Sequence, residues 1–308
     1  MERQEKYRYP QIKNHTKGPP LLNNSIGKTF KKLRVSQNIT LKAAVHNIEQ
    51  LSPSRLSHWE NDESNIPLNK LDQLLENIHV LPNEFAHLVG QRYVNHLSVQ
   101  VQDAFITNNI EELHMLALNQ LKKYNHIQDN TELFLCALTC NFYYQKTKID
   151  IFPMSLKEKI TKALTSTSLW NYYHITTFGN VTHLLPDKLL YKIAVKLINS
   201  FPHIKVCGME NHIFAFIALL NANVALIFKN PNLAKKLLNK ICQLEIHQFD
   251  YYSSLYLSIV KNLLNYQQTK NPQFIKLAQN IVHFCKSINK KDAALEFEDL
   301  ISQIQKIS

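Results

Sequence analysis

The stretch from Ser52 to Asn61 combines side chains that could read a polyanion through hydrogen bonds. Ser52 followed by Pro53 predicts the start of a helix, because a hydroxyl can cap the first turn and proline fits the first helical position. At helical spacing, Leu56 and Trp59 form an inward packing stripe. The face left to solvent carries three polar residues, Ser54, Arg55 and His58.

The chemistry of this polar face fits the major groove of duplex DNA. Only that groove shows a helix a distinct pattern of donors and acceptors for each base pair. The forked guanidinium of Arg55 suits either guanine or a backbone phosphate, and the phosphate-only alternative stays open. Pro53 offers an apolar contact, for instance with a thymine methyl group. We therefore predict that double-stranded DNA is the partner of this helix.

Positive charge is concentrated near the same helix. The formal net charge is +11, and residues 1–58 hold 11 Lys or Arg against 3 Asp or Glu. A basic end on a near-neutral body is typical of proteins that meet nucleic acid, although a solubilising basic tail is the alternative. We expect phosphate contacts from residues on exposed faces and near helix starts, namely Lys28, Lys31, Lys32, Lys42 and Ser52. A plain solvated surface is the alternative for each lysine.

Cap and proline signals predict a helix-turn-helix domain over residues 25–90. Residues 1–24 read as a flexible basic arm that ends at Pro19-Pro20. Five short helices follow, opened in order by Ser25, Thr40, Ser52, Pro67 and Pro82, and the second is expected to run through Ile48. Five helices of this length, with a tight link between the second and the third, are typical of helix-turn-helix domains.

The same residues resemble two nested groups of regulators. Residues 52–61 resemble the third helix of the phage-repressor-like (Xre) group. The following segment resembles, more narrowly, the Rgg/MutR-type peptide-responsive quorum-sensing regulators of low-GC Gram-positive bacteria. The residues that carry this resemblance are Asp62 to Pro67, Lys70-Leu71, Leu74-Leu75 and Glu84-Phe85. Asp62 stands where the group usually has glycine, so we expect a left-handed backbone there, which Asp tolerates better than most residues.

The resemblance implies a structural pair and a mode of action. In the phage-repressor group an arginine late in helix one pairs with the glutamate that ends helix three, so Arg34 and Glu60 are expected to form a partly buried ion pair. Rgg-type proteins are homodimers in which short hydrophobic peptides alter DNA binding or the recruitment of RNA polymerase. Two recognition helices of such a dimer would meet half-sites about one helical turn, ~34 Å, apart.

Residues 91–308 predict an all-helical sensor and dimerisation domain. Lys229-Asn230-Pro231 recurs 41 residues later as Lys270-Asn271-Pro272, and apolar helical patterns flank both copies. Repeated hairpins of this length stack into an α-solenoid of tetratricopeptide-like units. Residues 170–180 and 219–222 also resemble the Rgg-type C-terminal region. The predicted fold class is therefore all-α, a five-helix helix-turn-helix domain followed by a solenoid.

Asparagines within apolar helices suggest where a peptide could bind. An Asn side chain offers an extended backbone both a donor and an acceptor, whereas it has poor helix propensity and costs free energy when buried unpaired. The predicted peptide-binding residues are Tyr173, Asn180, Asn221, Asn223, Asn262 and Asn265, with further tyrosines (Tyr172, Tyr252, Tyr256) as apolar walls. The high asparagine content of the whole chain is the alternative explanation.

Other function classes find less support in the sequence. There is no GxSxG, HExxH, Walker or dinucleotide motif and no histidine metal pair, so we predict no catalysis, metal or cofactor. The five cysteines form no CxxC pair and predict mostly buried free thiols. The absence of a signal peptide and of a long apolar run predicts a cytoplasmic protein with no membrane contact. A helix-turn-helix repressor or antitoxin without a peptide ligand, and a helical scaffold that binds only protein, stay open.

Overall fold

The computed structural model describes residues 26–89 and 96–306, which form seventeen α-helices and no strand. The predicted all-α fold class is confirmed for these residues. The chain divides into two compact units between Val94 and Asn95, called here unit 1 and unit 2. The predicted basic arm and the capping role of Ser25 lie outside the described residues.

Unit 1 contains the five short helices expected of a helix-turn-helix domain. They are α1 (Ile26–Ser36), α2 (Leu41–Ala44), α3 (Pro53–Glu60), α4 (Leu68–Asn77) and α5 (Pro82–Leu88). Phe30, Leu56 and Leu74 are completely buried between them. The ring of Trp59 packs against Phe30 with 5.3 Å between ring centroids. A domain this small depends on such a shared core, because isolated helices of this length are not stable in water.

Local signals place the starts of these helices as predicted. The hydroxyl of Thr40 accepts a hydrogen bond from the backbone of Ala43, and that of Ser52 from the backbone of Arg55. These bonds satisfy amide groups that the first turn of a helix leaves unpaired. Asp62 has a φ of 67°, so the expected left-handed residue after α3 is confirmed.

The second helix is shorter than predicted, and this is a correction. The sequence pattern suggested a helix through Ile48, but α2 ends at Ala44 and Asn47 is left-handed with a φ of 60°. Val45 and Ile48 are nevertheless buried in the core of unit 1. The apolar spacing therefore reported burial correctly, while a turn rather than a helix brings both side chains to the core.

Unit 2 is a two-layered array of helices. Its helices are α6 (His96–Ile106), α7 (Ile110–Ile127), α8 (Asn130–Thr147), α9 (Met154–Ser166), α10 (Tyr172–Gly179), α11 (Asp187–Asn199), α12 (Phe201–Val206), α13 (Met209–Lys229), α14 (Pro231–Ile241), α15 (Tyr251–Thr269), α16 (Pro272–Ser287) and α17 (Lys291–Lys306). Helices α8, α10, α13, α15 and α17 pack in that order and form what we call the helix row. Helices α11, α14 and α16 pack against members of this row: α11 against α13, α14 against α13 and α15, and α16 against α15 and α17.

The repeated Lys-Asn-Pro segments begin equivalent hairpins. Asn230 caps α14 and Asn271 caps α16, each with proline in the first turn that follows. The two turns differ in one respect, because Lys229 is the last residue of α13 whereas Lys270 is left-handed with a φ of 56°. The sequence echo therefore marks a real structural repeat with a different turn in each copy.

Helix α13 is the central core helix of unit 2. It packs against α10, α11, α12, α14 and α15. Among the described residues it alone is long and apolar enough to cross a membrane by length and composition, and 67% of its most apolar window is buried within the protein. An apolar helix covered on nearly all sides by other helices is typical of a large protein core.

Candidate functional site

Helix α3 presents a polar face to solvent, as predicted. Leu56, Trp59 and Glu60 are buried, with 0%, 7% and 1% of their surfaces exposed. The predicted DNA-contacting residues are all exposed: Ser52, Pro53, Ser54, Arg55 and His58. Because the buried residues follow helical spacing, the opposite side of the helix is exposed within unit 1 at Ser54, Arg55 and His58.

Arg55 and His58, the two larger side chains of this face, differ in whether they have a partner within the protein. The guanidinium of Arg55 makes no hydrogen bond or ion pair with any part of the chain that the structure describes, so its donors are available to a ligand. His58 Nδ1 instead lies 2.5 Å from Glu63 Oε2. A carboxylate next to the imidazole repels phosphate at short range, so Arg55 is the better placed of the two to bind DNA.

Arg34 and Glu60 form a buried, two-pronged ion pair between α1 and α3. Arg34 Nε donates to Glu60 Oε1 and Arg34 Nη2 to Glu60 Oε2, each at 2.7 Å. Arg34 Nη1 donates to the carbonyl of Ile39, also at 2.7 Å. The parallel geometry of a guanidinium and a carboxylate fixes direction as well as distance. The pair therefore holds the C-terminal end of α3 against α1.

Gly27 allows α1 to approach α3 this closely, a role that the sequence analysis missed. A Cβ atom at this position would lie 2.1 Å from the carbonyl oxygen of Trp59 and 3.2 Å from the Cα of Glu60. Only a residue without a side chain fits such a contact with backbone. The signal was available, because Gly27 is one of only 5 glycines in the chain and stands inside a predicted helix.

The predicted phosphate-binding lysines fall into two groups. Lys28 forms an ion pair with Asp62 at 2.8 Å, and Lys31 donates to Asn61 Oδ1 at 2.9 Å. Both therefore connect α1 to the turn after α3. Lys32 and Lys42 are exposed, and neither side chain has a hydrogen bond or ion pair within the described ranges. Lys32 and Lys42 are thus the lysines of this set with an uncommitted ammonium group.

The structure contradicts the prediction that Asn223 binds a peptide. Its side chain is completely buried in α13, and its Nδ2 donates to the carbonyl of Ala234 at 2.8 Å. It joins α13 to α14 inside the core and faces no groove. Asn221, two residues earlier, is half-buried, and both ends of its amide are engaged. Its Oδ1 accepts from the hydroxyl of Tyr256 at 2.9 Å, and its Nδ2 donates weakly to the carbonyl of Gly179 at 3.4 Å.

The other predicted peptide-binding residues lie at the surface of the helix row. Tyr173 is 47% exposed and its ring contacts that of Tyr172, which in turn packs edge-on against Phe214. We call these three residues the aromatic patch. Three asparagines are partly or fully exposed: Asn180, which caps the end of α10, Asn262, which donates to the carbonyl of Ser258, and Asn265.

A pair of charged residues shows that the helix row is curled. Lys146 of α8 and Asp299 of α17 approach to 3.6 Å, although α8 and α17 are the first and last members of the row. Five helices side by side at ordinary spacing would place the outer two roughly 36 Å apart if the row were flat. Lys and Asp side chains cannot span that distance. The row therefore bends, and its inner side is concave.

A carboxylate that the sequence analysis missed lies on α17. The hydroxyl of Tyr252 donates to Glu296 Oε2 at 2.6 Å. Glu296 is exposed at the surface, but the protein around its carboxylate displaces part of the solvent, which raises its pKa. The hydrogen bond from Tyr252 lowers this pKa, and the nearby Asp299 raises it again. Nothing in the local sequence marks this residue, because its setting depends on the packing of α15 against α17.

Residues 114–299 match the sequence profile of the C-terminal domain of the HTH-type transcriptional regulator Rgg. This match spans more than half of the chain. The chain belongs to the Rgg family of transcriptional regulators. The resemblance noted in the sequence is therefore confirmed, and the family is one of regulators rather than of enzymes. Among curated proteins, no sequence matches the chain significantly.

Solved structures share the fold of this Rgg-family chain over nearly its whole length. The Streptococcus dysgalactiae SHP pheromone receptor Rgg2 superposes with a TM-score of 0.70 at 18% identity, covering 91% of this chain and 99% of the receptor. The PrgX/cCF10 complex gives 0.65 at 15% identity, covering 91% and 92%. A bacterial peptide pheromone/receptor complex gives 0.64 at 16% identity, covering 91% and 98%. At this level of identity the likeness establishes the fold.

The cysteines of this Rgg-family chain are free, and three of the five are buried. Cys136, Cys140 and Cys285 lie inside unit 2, whereas Cys207 and Cys242 are exposed. Burial raises the pKa of both Cys136 and Cys140 to about 12. Because the thiolate is the reactive form, these two side chains act as small apolar core residues.

Proposed function

We propose that this regulator binds duplex DNA in a sequence-specific manner through α3. The observation that carries the proposal is the exposed guanidinium of Arg55 on a helix whose inner face is locked to α1 by Arg34 and Glu60. A rigid helix with a free forked donor suits the major groove, where such a donor can bind guanine. Ser54 and His58 lie on the same face and Pro53 at its start, so they would contact neighbouring bases.

Phosphate contacts would orient the domain on the duplex. Ser52 caps α3, Lys32 lies on α1 and Lys42 lies in the first turn of α2, and all three are exposed. Neither lysine has a side-chain partner among the described residues. Lys28 would reach phosphate only by leaving Asp62, so we expect it to contribute less. Contacts of this kind add affinity without sequence preference.

Two substitutions separate base contacts from phosphate contacts. DNA enriched by the wild-type protein from a random pool serves as the specific probe, and a scrambled duplex as the non-specific one. Arg55→Ala should relax the preference at one base position and cost roughly 1–3 kcal/mol on the specific probe. Lys32→Ala should weaken both probes equally and reduce the salt dependence. If Arg55→Ala lowered the affinity for both probes equally, Arg55 would contact only phosphate and the proposal that it reads a base would be wrong.

We also propose that the protein acts in the cytoplasm as a homodimer that influences RNA polymerase. A dimer would present two α3 helices to half-sites about one helical turn, ~34 Å, apart. Analytical ultracentrifugation of the full chain, with and without the enriched duplex, measures the stoichiometry. Two chains on one duplex support the proposal, and a single bound chain contradicts it.

We propose that unit 2 binds a short hydrophobic peptide on the concave side of the helix row. The aromatic patch offers exposed apolar surface, and Asn180, Asn262 and Asn265 offer donors and acceptors to an extended backbone. One structure with the same fold is described as a peptide pheromone/receptor complex and another as a pheromone receptor, which supports the same use of this fold here. Asn221 would support the site through Tyr256.

A peptide library tests this second proposal. Unit 2 is presented, within the full chain, with a pool of synthetic octapeptides, and bound peptides are identified by mass spectrometry. Tyr173→Ala should reduce capture at least tenfold, whereas Phe284→Ala, which removes an equally exposed aromatic ring from α16 outside the row, should not. Capture of no peptide by the wild type favours the alternative of a regulator without a peptide ligand. Failure to enrich any duplex as well favours a protein-binding scaffold.

A further inference from the structure

The segment between α2 and α3 holds an unfavourable backbone. Asn47 has a φ of 60° and Gln50 a φ of 55°, although neither is glycine. Left-handed residues with a side chain persist only where the surrounding structure compensates for their strain. Ser52, which caps α3, follows two residues after Gln50. The conformation of this segment therefore decides where α3 starts and how it is rotated.

Two side chains from α4 hold this segment by its carbonyl groups. Lys70 Nζ donates to the carbonyls of Glu49 at 2.8 Å and Gln50 at 3.1 Å. Asn77 Nδ2 donates to the carbonyls of Ala44 and His46, both at 2.9 Å. Lys70 and Asn77 are seven residues apart, so they lie on one side of α4 about two turns from each other. We call these two residues the α4 clamp.

The α4 clamp fixes the orientation of the segment between α2 and α3, which the apolar core alone does not. Val45, Ile48 and Leu51 also anchor the segment by packing into the core of unit 1. Apolar burial is largely non-directional, so it tolerates small rotations of the segment. The four hydrogen bonds to the carbonyl groups of Ala44, His46, Glu49 and Gln50 do not tolerate them, because such bonds weaken steeply away from a straight geometry. The clamp therefore fixes the orientation in which α3 leaves the turn.

We infer that Lys70 and Asn77 are positioning residues for sequence recognition, acting through the segment that they hold. The inference rests on the proposed reading of DNA by α3. A shift of about 1 Å at the start of α3 would move Ser54 and Arg55 out of reach of the same base edges, since hydrogen bonds of this type need donor–acceptor distances of 2.7–3.2 Å. Phosphate contacts on flexible lysine side chains would follow such a shift.

A matched pair of substitutions on α4 tests this inference. Asn77→Asp keeps the shape of the side chain but replaces the donor with a carboxylate that faces two carbonyls. Asn69→Asp makes the same change of charge at an exposed position of the same helix, where the side chain makes no hydrogen bond within the described residues. The measurement is the ratio of affinities for the duplex that the wild type enriches from a random pool and for a scrambled duplex of equal length.

Asn77→Asp should lower this affinity ratio at least tenfold, and Asn69→Asp should leave it within twofold of the wild type. Partial unfolding cannot produce this result, because a smaller folded fraction lowers both affinities by one factor and leaves their ratio unchanged. Lys70→Met provides a second test should Asn77→Asp fail to fold. Lys70→Met should lower the ratio, and Lys70→Arg, which still offers donors to both carbonyls, should restore it.

The outcomes separate this inference from the proposed function. Enrichment of no duplex by the wild-type protein overturns both. Enrichment by the wild type, with equal ratios for Asn77→Asp and Asn69→Asp, overturns the positioning role and leaves the DNA-binding proposal standing. An equal loss in Lys70→Met and Lys70→Arg would likewise contradict a role that depends on the carbonyl contacts.

Discussion

Replacing Glu60 with glutamine tests how firmly α3 is attached to α1. The substitution keeps the size of the side chain and removes its charge, so one of the two hydrogen bonds from Arg34 is lost and the other is made to a neutral amide oxygen. The guanidinium stays buried, with 9% of its side chain exposed. Removing one partner of a buried ion pair costs about 3–5 kcal/mol. Because Gln still accepts one hydrogen bond, we expect about 3 kcal/mol in the free energy of unfolding of unit 1.

The two tryptophans allow each unit to be followed separately. Trp59 lies in unit 1 and Trp170 in unit 2, and the chain contains no other tryptophan. Trp170→Phe leaves Trp59 as the only indole, and it breaks no hydrogen bond because Trp170 Nε1 has no partner in the described structure. For a domain of this size a urea m-value of about 1 kcal/mol/M turns the expected loss into a midpoint shift of ~3 M.

A double substitution separates the ion pair from general damage to the core. Arg34→Met with Glu60→Met removes both charges, and most of the stability lost in either single variant should return. Lys28→Met breaks the solvent-exposed pair with Asp62 and should cost less than about 1 kcal/mol. A Glu60→Gln loss below about 1 kcal/mol, or a double variant as unstable as the sum of the single variants, would refute the reasoning.

Three further predictions follow from single contacts. Gly27→Ala places a Cβ 2.1 Å from a backbone oxygen of Trp59, so α1 must move and unit 1 should lose about 2 kcal/mol or more in urea denaturation followed by Trp59 fluorescence. Burial and two nearby lysines lower the pKa of His183 from 6.5 to about 3, so the folded chain keeps this side chain neutral. The neutral His183 contributes its full share to the free energy of unfolding above the unfolded pKa of 6.5. This contribution falls by about 2 kcal/mol between pH 6.5 and 5, because the unfolded chain takes up a proton there and the folded chain does not. His183→Gln should remove this pH dependence of the free energy of unfolding. Tyr252→Phe removes the hydrogen bond that lowers the pKa of Glu296, so that pKa should rise further in a carboxyl NMR titration, and an unchanged value would contradict the contact.

Features that depend on a few neighbouring residues were predictable from the sequence. The capping of α2 by Thr40 and of α3 by Ser52 follows from side chains that bond to amides three residues away. The exposed face of α3 follows from the inward spacing of Leu56 and Trp59. These signals act within about one helical turn, so they do not depend on the tertiary structure. The left-handed backbone of Asp62 was expected from the family resemblance, because the related regulators usually have glycine at this position.

Features that depend on tertiary packing were not predictable from the sequence. The pattern at Val45 and Ile48 identifies buried residues but does not distinguish a helix from a turn that reaches the same core. Asn223 looks like a groove residue because a polar side chain in an apolar helix has two explanations, and only the position of Ala234 shows that this one bonds inside the core. Glu296 carries no local signal, because α15 and α17 together create its environment.

The placement of α3 itself depends mostly on contacts between distant residues. Its C-terminal end is held by Arg34, 26 positions away from Glu60, and the segment before it is held by Asn77, 33 positions away from Ala44. Helix α2, which precedes this segment, has only four residues and is too short to fix the direction of α3. The contacts at the two ends of α3 therefore set its direction. Helix α3, the proposed recognition helix, is thus oriented by α1 at one end and α4 at the other. If α3 reads DNA as proposed, we expect a substitution at the α1 or α4 contacts to change DNA recognition without touching DNA, and the same substitution on the solvent face of α4 to leave it unchanged.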